Sequence, residues 1–146
     1  MRLIIDASVA LKWFIPEVLN DKADEVLKST HHLFAPDFIL IEMANFFWKK
    51  NIRNEISDAA SQDALFELAH GPLEYFPTNA ALLMQALAIA QKIKHPVYDC
   101  IYLALAMQQA GVVVTADHKF YTQLLQTEWK DKVIALENFS AQCEIK

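Results

Sequence analysis

Three consecutive valines followed by a threonine, at Val112–Thr115, restrict the fold of this chain more than any other segment. β-Branched side chains favour extended backbone, and an uninterrupted run of them is typical of a strand covered on both faces. Four further short apolar segments alternate with longer segments of helical period. The predicted strands are residues 3–5, 33–35, 73–76, 112–115 and 133–136. This alternation predicts an α/β protein, a three-layer α/β/α domain with a central parallel sheet of four or five strands.

Helices are predicted in the intervals between these strands. They cover about residues 36–51, 57–69, 78–94 and 96–110. Ser57 or Asp58 begins the second helix, because both residue types cap helices well. Gly111 follows the fourth helix, and we expect it to end that helix in the left-handed conformation that glycine tolerates.

The composition fits one domain, predicted to span residues 1–146. Hydrophobic residues make up 54% of the chain and charged residues 21%, which excludes an intrinsically disordered protein. Lys and Arg number 13 against 18 Asp and Glu, so the formal net charge is −5. That balance disfavours a nucleic-acid binder driven by overall basic charge, but it is compatible with an acidic metal site.

The cysteine content and the N-terminus both favour a cytoplasmic protein. Cys100 and Cys143 allow at most one disulfide and have no metal-binding spacing, so we expect both thiols to be reduced. The first residues meet Asp6 too early for a signal peptide, and the longest apolar segment is too short to cross a bilayer. We therefore expect no membrane association.

Two aspartates follow predicted strands. Asp6 comes directly after the first strand, and Asp117 follows the strand at Val112–Thr115. Ligands of open parallel sheets bind beyond the carboxyl ends of the strands, so both acids lie where chemistry is expected. The alternative for Asp6 is a purely structural role as the cap of the following helix.

Two more acids interrupt strongly apolar helices. Asp99 lies in the first turn of the fourth predicted helix, and Glu42 is the one acid among residues 38–48. A buried charge needs a partner, a metal or protonation. The alternative for Asp99 is a solvent-facing carboxylate that interacts with the helix dipole, and for Glu42 an ordinary exposed glutamate.

Together, the four acids suggest a divalent cation. Clustered carboxylates repel each other unless a cation neutralises them. Oxygen ligands without His or Cys favour Mg²⁺ or Mn²⁺ over Zn²⁺. Such a site activates water against a phosphodiester, so hydrolysis of a nucleic-acid backbone is the natural chemistry.

Four motifs, in this order, resemble those of the PIN-domain ribonucleases, and among them the small VapC-type toxins of toxin–antitoxin pairs. They are residues 5–14 (IDASVALKWF), 42–45 (EMAN), 96–106 (PVYDCIYLALA) and 114–117 (VTAD). The resemblance extends over nearly the whole chain. It implies a parallel sheet flanked by helices, one or two Mg²⁺ or Mn²⁺ ions, and cleavage of RNA. It also implies a small VapB-type antitoxin as partner and a toxin homodimer.

The resemblance also assigns roles to individual residues. The implied catalytic and metal-binding acids are Asp6, Glu42, Asp99 and Asp117. Ser8 and Thr115 occupy positions where the family places groups that orient these acids, and Asn45 shares a helix face with Glu42. Many relatives have a further acid two positions after the last aspartate, where this chain has Lys119. A strict two-metal mechanism is therefore in doubt.

The predicted phosphate contacts are the cations nearest these motifs. They are Lys12, Lys49, Lys50, Arg53 and Lys119, and the alternative for each is an ordinary solvated side chain. Two alternative functions have less support. A receiver-like phospho-acceptor domain requires an acidic pair and a strand-end lysine, which we do not find. A catalytically inactive PIN-like module that binds RNA or protein is disfavoured because all four acids are present.

Overall fold

The structure, a computed structural model, describes residues 1–141. Cys143 lies outside the described residues, so the expectation for its thiol has no structural counterpart here. Cys100 is buried and free.

Within residues 1–141, a single parallel sheet of five strands forms the centre of the fold. The strands are β1 (Arg2–Ile5), β2 (His32–Pro36), β3 (Glu74–Phe76), β4 (Val112–Thr115) and β5 (Val133–Ala135). Their spatial order is β3-β2-β1-β4-β5, and every neighbouring pair is parallel. All five predicted strands are present. The predicted three-layer α/β/α architecture is confirmed, with the number of strands settled at five.

In the described part of the chain, seven α-helices flank the sheet. They are α1 (Ala7–Ala10), α2 (Asn20–Lys28), α3 (Phe38–Ile52), α4 (Asp58–His70), α5 (Ala80–Ile93), α6 (Val97–Gln108) and α7 (His118–Leu125). Ser57 caps α4 by accepting a hydrogen bond from the backbone N–H of Ala60, as its residue type predicts. Helices α2 and α7, which are short helices of 9 and 8 residues, were not predicted from the sequence. Among residues 1–141, no helix is long and apolar enough to span a bilayer.

The end of α6 differs from the prediction for Gly111. The left-handed residue is Ala110, with φ of 51°, and no glycine has positive φ among the described residues. Gly111 is instead required by close packing. A Cβ atom there would lie 2.8 Å from the carbonyl oxygen of Arg2 and 3.0 Å from Cδ1 of Ile4. The glycine therefore allows the chain to enter β4 directly against β1.

The strand order creates a crevice beside the central strands. The chain runs outward from β1 through β2 to β3, then returns to place β4 on the other side of β1. Helix α6, buried along most of its length, packs against β1, β2 and β4. A reversal of strand order of this kind leaves an opening at the carboxyl ends of the strands, between the helices that leave in opposite directions. Asp6 and Asp117 follow the two strands at this reversal.

Candidate active site

Asp6 lies at the centre of the candidate site and is almost fully buried, with 4% of its surface exposed. Its backbone N–H donates to the carbonyl of Val114 at 3.1 Å, which extends the β1–β4 pairing by one residue. The hydroxyls of Ser8 and Thr115 both donate to Asp6 Oδ2, each at 2.7 Å. Neither hydroxyl donates to the other carboxylate oxygen, Oδ1. The two residues that the resemblance assigned as orienting groups therefore hold the Asp6 carboxylate.

The capping role considered for Asp6 is absent. Asp6 occupies the N-cap position of α1, but its side chain makes no capping hydrogen bond. Burying a carboxylate without using it as a cap costs free energy, and the two hydroxyls offset only part of that cost. This arrangement is typical of a functional carboxylate rather than a structural one.

Asp117 is both a cap and a neighbour of the site. Its Oδ1 accepts a hydrogen bond from the backbone N–H of Phe120 at 3.1 Å, so it caps α7. Its own N–H donates to Oγ1 of Thr115 at 3.0 Å. Thr115 thus links Asp6 to Asp117, since the same hydroxyl oxygen accepts from one residue and donates to the other.

Asp99 lies in the first turn of α6, as predicted, with its side chain 23% exposed. Its Oδ2 accepts a hydrogen bond from Nε2 of His95 at 2.5 Å. Sequence reasoning missed His95. The available signal was its spacing, because a residue four positions before Asp99 lies about one helical turn from it, within reach of its side chain.

Glu42 is half-buried on α3, and Tyr102 of α6 holds it in place. The Tyr102 hydroxyl donates to Glu42 Oε1 at 2.6 Å, and the tyrosine itself is fully buried. The two residues are sixty positions apart in the chain. The role of Tyr102 was therefore invisible to any local motif. A stacked pair of rings, Phe38 and Tyr98 with centroids 5.7 Å apart, joins the same two helices near their N-termini.

The four acids interact electrostatically as one cluster. Burial, together with the charges of Asp99 and Asp117, raises the pKa of Asp6 to about 6. Burial, together with the charges of Asp6 and Asp99, raises the pKa of Glu42 to about 7. Burial and the charge of Asp117 also raise the pKa of Asp99, against the opposing effect of His95. Like charges at close range disfavour ionisation, so the cluster favours a compensating positive charge.

This donor set fits a hard divalent cation chemically. Its ligands are carboxylate oxygens, the type that Mg²⁺ and Mn²⁺ prefer. Across residues 1–141, no group of three or more His, Cys, Asp and Glu side chains is close enough together to hold an ion as arranged. Mutually repelling carboxylates of this kind are stabilised by positive charge at the site. The site is therefore an electrostatic cluster rather than a closed cage.

The remaining predicted residues make no hydrogen bond or ion pair with the four acids among residues 1–141. Asn45 is exposed on α3, and no hydrogen bond joins it to the acids within residues 1–141. Lys12 pairs with Glu17 at 3.1 Å and its side chain is only 9% exposed, so it is engaged elsewhere. Lys50 pairs with Glu55 at 3.0 Å. Of the five predicted phosphate contacts, the exposed ones are Lys49, Arg53 and Lys119.

The fold agrees with comparisons to known proteins. The family profile described as PIN domain matches residues 3–123. The chain is a PIN-domain protein. Ribonuclease VapC3 of Pyrobaculum aerophilum is 30% identical over 124 residues, which cover 82% of this chain and 92% of that relative. The predicted resemblance to VapC-type PIN proteins is therefore confirmed.

Solved structures of other PIN proteins share the fold. PAE2754 from Pyrobaculum aerophilum superposes with a TM-score of 0.69 at 21% identity, covering 94% of this chain and 85% of its own. VapBC2 from Rickettsia felis, bound to a fragment of promoter DNA, gives a TM-score of 0.62 at 12% identity, covering 92% and 98%. At these identities the comparison establishes the fold. It favours the PIN-like interpretation over the receiver-like one.

Proposed function

We propose that this chain is a metal-dependent endoribonuclease, the toxin of a VapBC-type toxin–antitoxin pair acting in the cytoplasm as a single domain of residues 1–146. The observation that carries the proposal is the electrostatic cluster of acids beside the reversal of strand order in the sheet. Asp6 is buried there at a pKa of about 6 and Glu42 at a pKa of about 7. A structural role gives no reason to gather four acids at such a cost. The relative named Ribonuclease VapC3 matches this chain over 92% of its own length.

The residues that would hold the cation are the four acids, and each has a distinct support. Mg²⁺ or Mn²⁺, when bound, supplies Lewis-acid charge at a scissile phosphate and lowers the pKa of water. Ser8 and Thr115 fix the orientation of Asp6, and the α7 N-terminus fixes Asp117. The carboxylates position the reacting groups and form no covalent intermediate. Lys119 stands where many relatives have a further acid, which supports one tightly bound cation rather than two.

The RNA contacts fall to the exposed cations. Lys49, Arg53 and Lys119 are free of the ion pairs that engage Lys12 and Lys50 among the described residues. Because few phosphates are neutralised, the salt dependence of RNA binding should be shallow.

The partner is a VapB-type antitoxin, as the VapBC2 relative suggests by its name. An apolar groove of about 530 Å³ is a suitable surface for it. Its apolar lining comes from Trp13, Phe14, Leu27, Phe66 and Pro72. Phe66 is 63% exposed and so presents apolar surface in this groove. A homodimer of the toxin is part of the same proposal.

The test is cleavage of structured RNA, including tRNA and rRNA, by the purified chain with Mg²⁺ or Mn²⁺ and then with EDTA. The double variant Asp6→Asn, Asp99→Asn removes two acids of the site. Asp21→Asn, Asp131→Asn is the matched control, since both residues are exposed and the charge change is the same. We expect metal-dependent products with 5′-phosphates from the wild type and the control only.

Two other results would contradict the proposal. Cleavage that survives EDTA or the double variant indicates a contaminating ribonuclease. Folded, metal-loaded protein that binds these RNAs without cutting them identifies the chain as an inactive PIN-like binding module.

A further inference from the structure

We propose that His95 is a positioning residue for Asp99, holding one carboxylate oxygen so that the other stays available to a cation. The inference deepens the proposed function and rests on it. It starts from one contact: Nε2 of His95 donates to Asp99 Oδ2 at 2.5 Å, with the histidine side chain 5% exposed. Within residues 1–141, Oδ1 of Asp99 accepts no hydrogen bond. The histidine therefore occupies one carboxylate oxygen and leaves the other for a ligand.

The backbone around His95 fixes the imidazole. Lys94 ends α5 in the left-handed conformation, with φ of 55°, and the N–H of His95 donates to the carbonyl of Ala90 at 3.2 Å. Pro96 then begins α6 with φ of −53°. Three residues thus turn the chain from one helix to the next, and the imidazole points back over the first turn of α6. The turn of the backbone therefore brings the imidazole within hydrogen-bond distance of Asp99.

The imidazole also packs on the element that carries the neighbouring acid. Its ring lies against Phe120, with centroids 5.2 Å apart and planes tilted by 35°. Phe120 is fully buried, and its N–H is the donor that holds Asp117. His95 therefore joins the junction before α6 to the start of α7. A shift of the ring would move Asp99 relative to Asp117.

Its burial identifies His95 as a positioning residue rather than a proton carrier for substrate. The Nδ1 atom is buried and has no hydrogen-bond partner among residues 1–141, and Nε2 is occupied by Asp99. Neither ring nitrogen is open to an RNA phosphate. A buried, unpartnered nitrogen has a free-energy cost, which is explained if the ring is retained for its single bond to Asp99. Ligating carboxylates are commonly held by outer-shell partners of this kind.

The test is Mn²⁺ affinity of the folded, full-length chain, with free Mn²⁺ measured by electron paramagnetic resonance. His95→Gln keeps a nitrogen donor near the position of Nε2, whereas His95→Leu fills similar space without one. We expect His95→Leu to weaken Mn²⁺ binding by about 10–100-fold and His95→Gln to stay within about 3-fold of the wild type. His32→Leu, at an exposed position at the amino end of β2, is the control and should leave the affinity unchanged.

Three outcomes overturn the inference. Equal affinity in His95→Leu and the wild type shows that His95 only fills space, and the proposed function then stands without it. Equal weakening in His95→Leu and His95→Gln shows that ring shape, not the donor, matters. A wild-type chain that binds no Mn²⁺ removes the metal site itself, and both proposals fail.

A measurement on the wild type alone covers the case in which His95→Leu does not fold. The ¹⁵N resonance of His95 Nε2 reports the bond to Asp99 directly. We expect it to shift when Mg²⁺ is added, because the cation draws charge from the accepting carboxylate. A resonance that is unchanged at saturating Mg²⁺ overturns the inference.

Discussion

The four acids fall into two pairs that reach the same site by different physical means. Asp6 and Asp117 follow β1 and β4, so the hydrogen-bond register of the sheet places them, and nearby hydroxyls and a helix N-terminus orient them. Glu42 and Asp99 lie on α3 and α6, where helix packing places them. Buried side chains, Tyr102 and His95, orient that second pair.

This difference predicts which acids keep their position when an orienting side chain is lost. The sheet fixes the strand pair through many backbone bonds, so loss of one side-chain partner leaves the backbone in register. The helix pair depends on single side-chain contacts, so one substitution there moves an acid without unfolding the domain. We expect the helix pair to be the more sensitive to substitutions outside the acids themselves.

The largest effect is expected from removing a strand acid. Asp6→Asn should reduce metal-dependent RNA cleavage at least about 1000-fold, because the buried centre of the ligand set loses its charge while both hydroxyl bonds persist. Single-turnover cleavage at saturating metal measures it, with circular dichroism to verify the fold. Activity within 10-fold of the wild type would show that the strand pair is not the core of the site.

Stability of the metal-free chain should reveal the same carboxylate. The pKa of Asp6 is raised from 3.8 to about 6 in the folded state, so its stabilising contribution is complete below about pH 4 and is lost as the pH rises through 6. In EDTA, Asp6→Asn should match the wild type near pH 4 and exceed its free energy of unfolding by about 2–3 kcal/mol at pH 7.5.

Urea unfolding across that pH range measures the difference, and Mg²⁺ provides the control. Adding the cation at pH 7.5 should shrink or reverse the advantage of Asp6→Asn, since only the wild type gains from binding it. A variant that is less stable than the wild type at pH 7.5 in EDTA would contradict the electrostatic interpretation.

Substitution of the side chains that orient the two pairs of acids should reduce RNA cleavage to different extents. Tyr102→Phe removes the donor to Glu42 without changing the core volume, and we expect about a 10-fold loss of cleavage. Ser8→Ala removes one of two donors to Asp6, and the remaining bond from Thr115 should limit the loss to about 3-fold. Parallel cleavage assays decide the order. A larger loss for Ser8→Ala would reverse the comparison.

The smallest effect is expected at the paired lysine. Lys12→Ala should change RNA affinity by less than about 2-fold, because its ammonium is already bound to Glu17. Arg53→Ala should weaken affinity somewhat more and make the salt dependence of binding shallower. Filter binding over a range of KCl concentrations compares the two. Equal losses would place Lys12 on the RNA path despite its ion pair.

The sequence predicted the strand pair more completely than the helix pair, and the reason is physical. Buried strands have short apolar runs that can be read locally, so the positions of Asp6 and Asp117 followed from their neighbours in the chain. The orienting role of Ser8 was implied only by the resemblance to PIN-domain ribonucleases. The contact between Tyr102 and Glu42 depends on how α3 and α6 pack, which no local pattern encodes. Gly111 illustrates the same limit: its type was informative, but the constraint is contact with β1 rather than backbone conformation.

The most direct test of the account is calorimetric titration of the metal-free chain with Mn²⁺ at pH 7.5. The account predicts saturable binding by the wild type and by Asp21→Asn, Asp131→Asn, with binding abolished in Asp6→Asn, Asp99→Asn. Heat of binding that is the same in all three proteins would show that Mn²⁺ associates elsewhere, and would contradict the assignment of the four acids as a metal site.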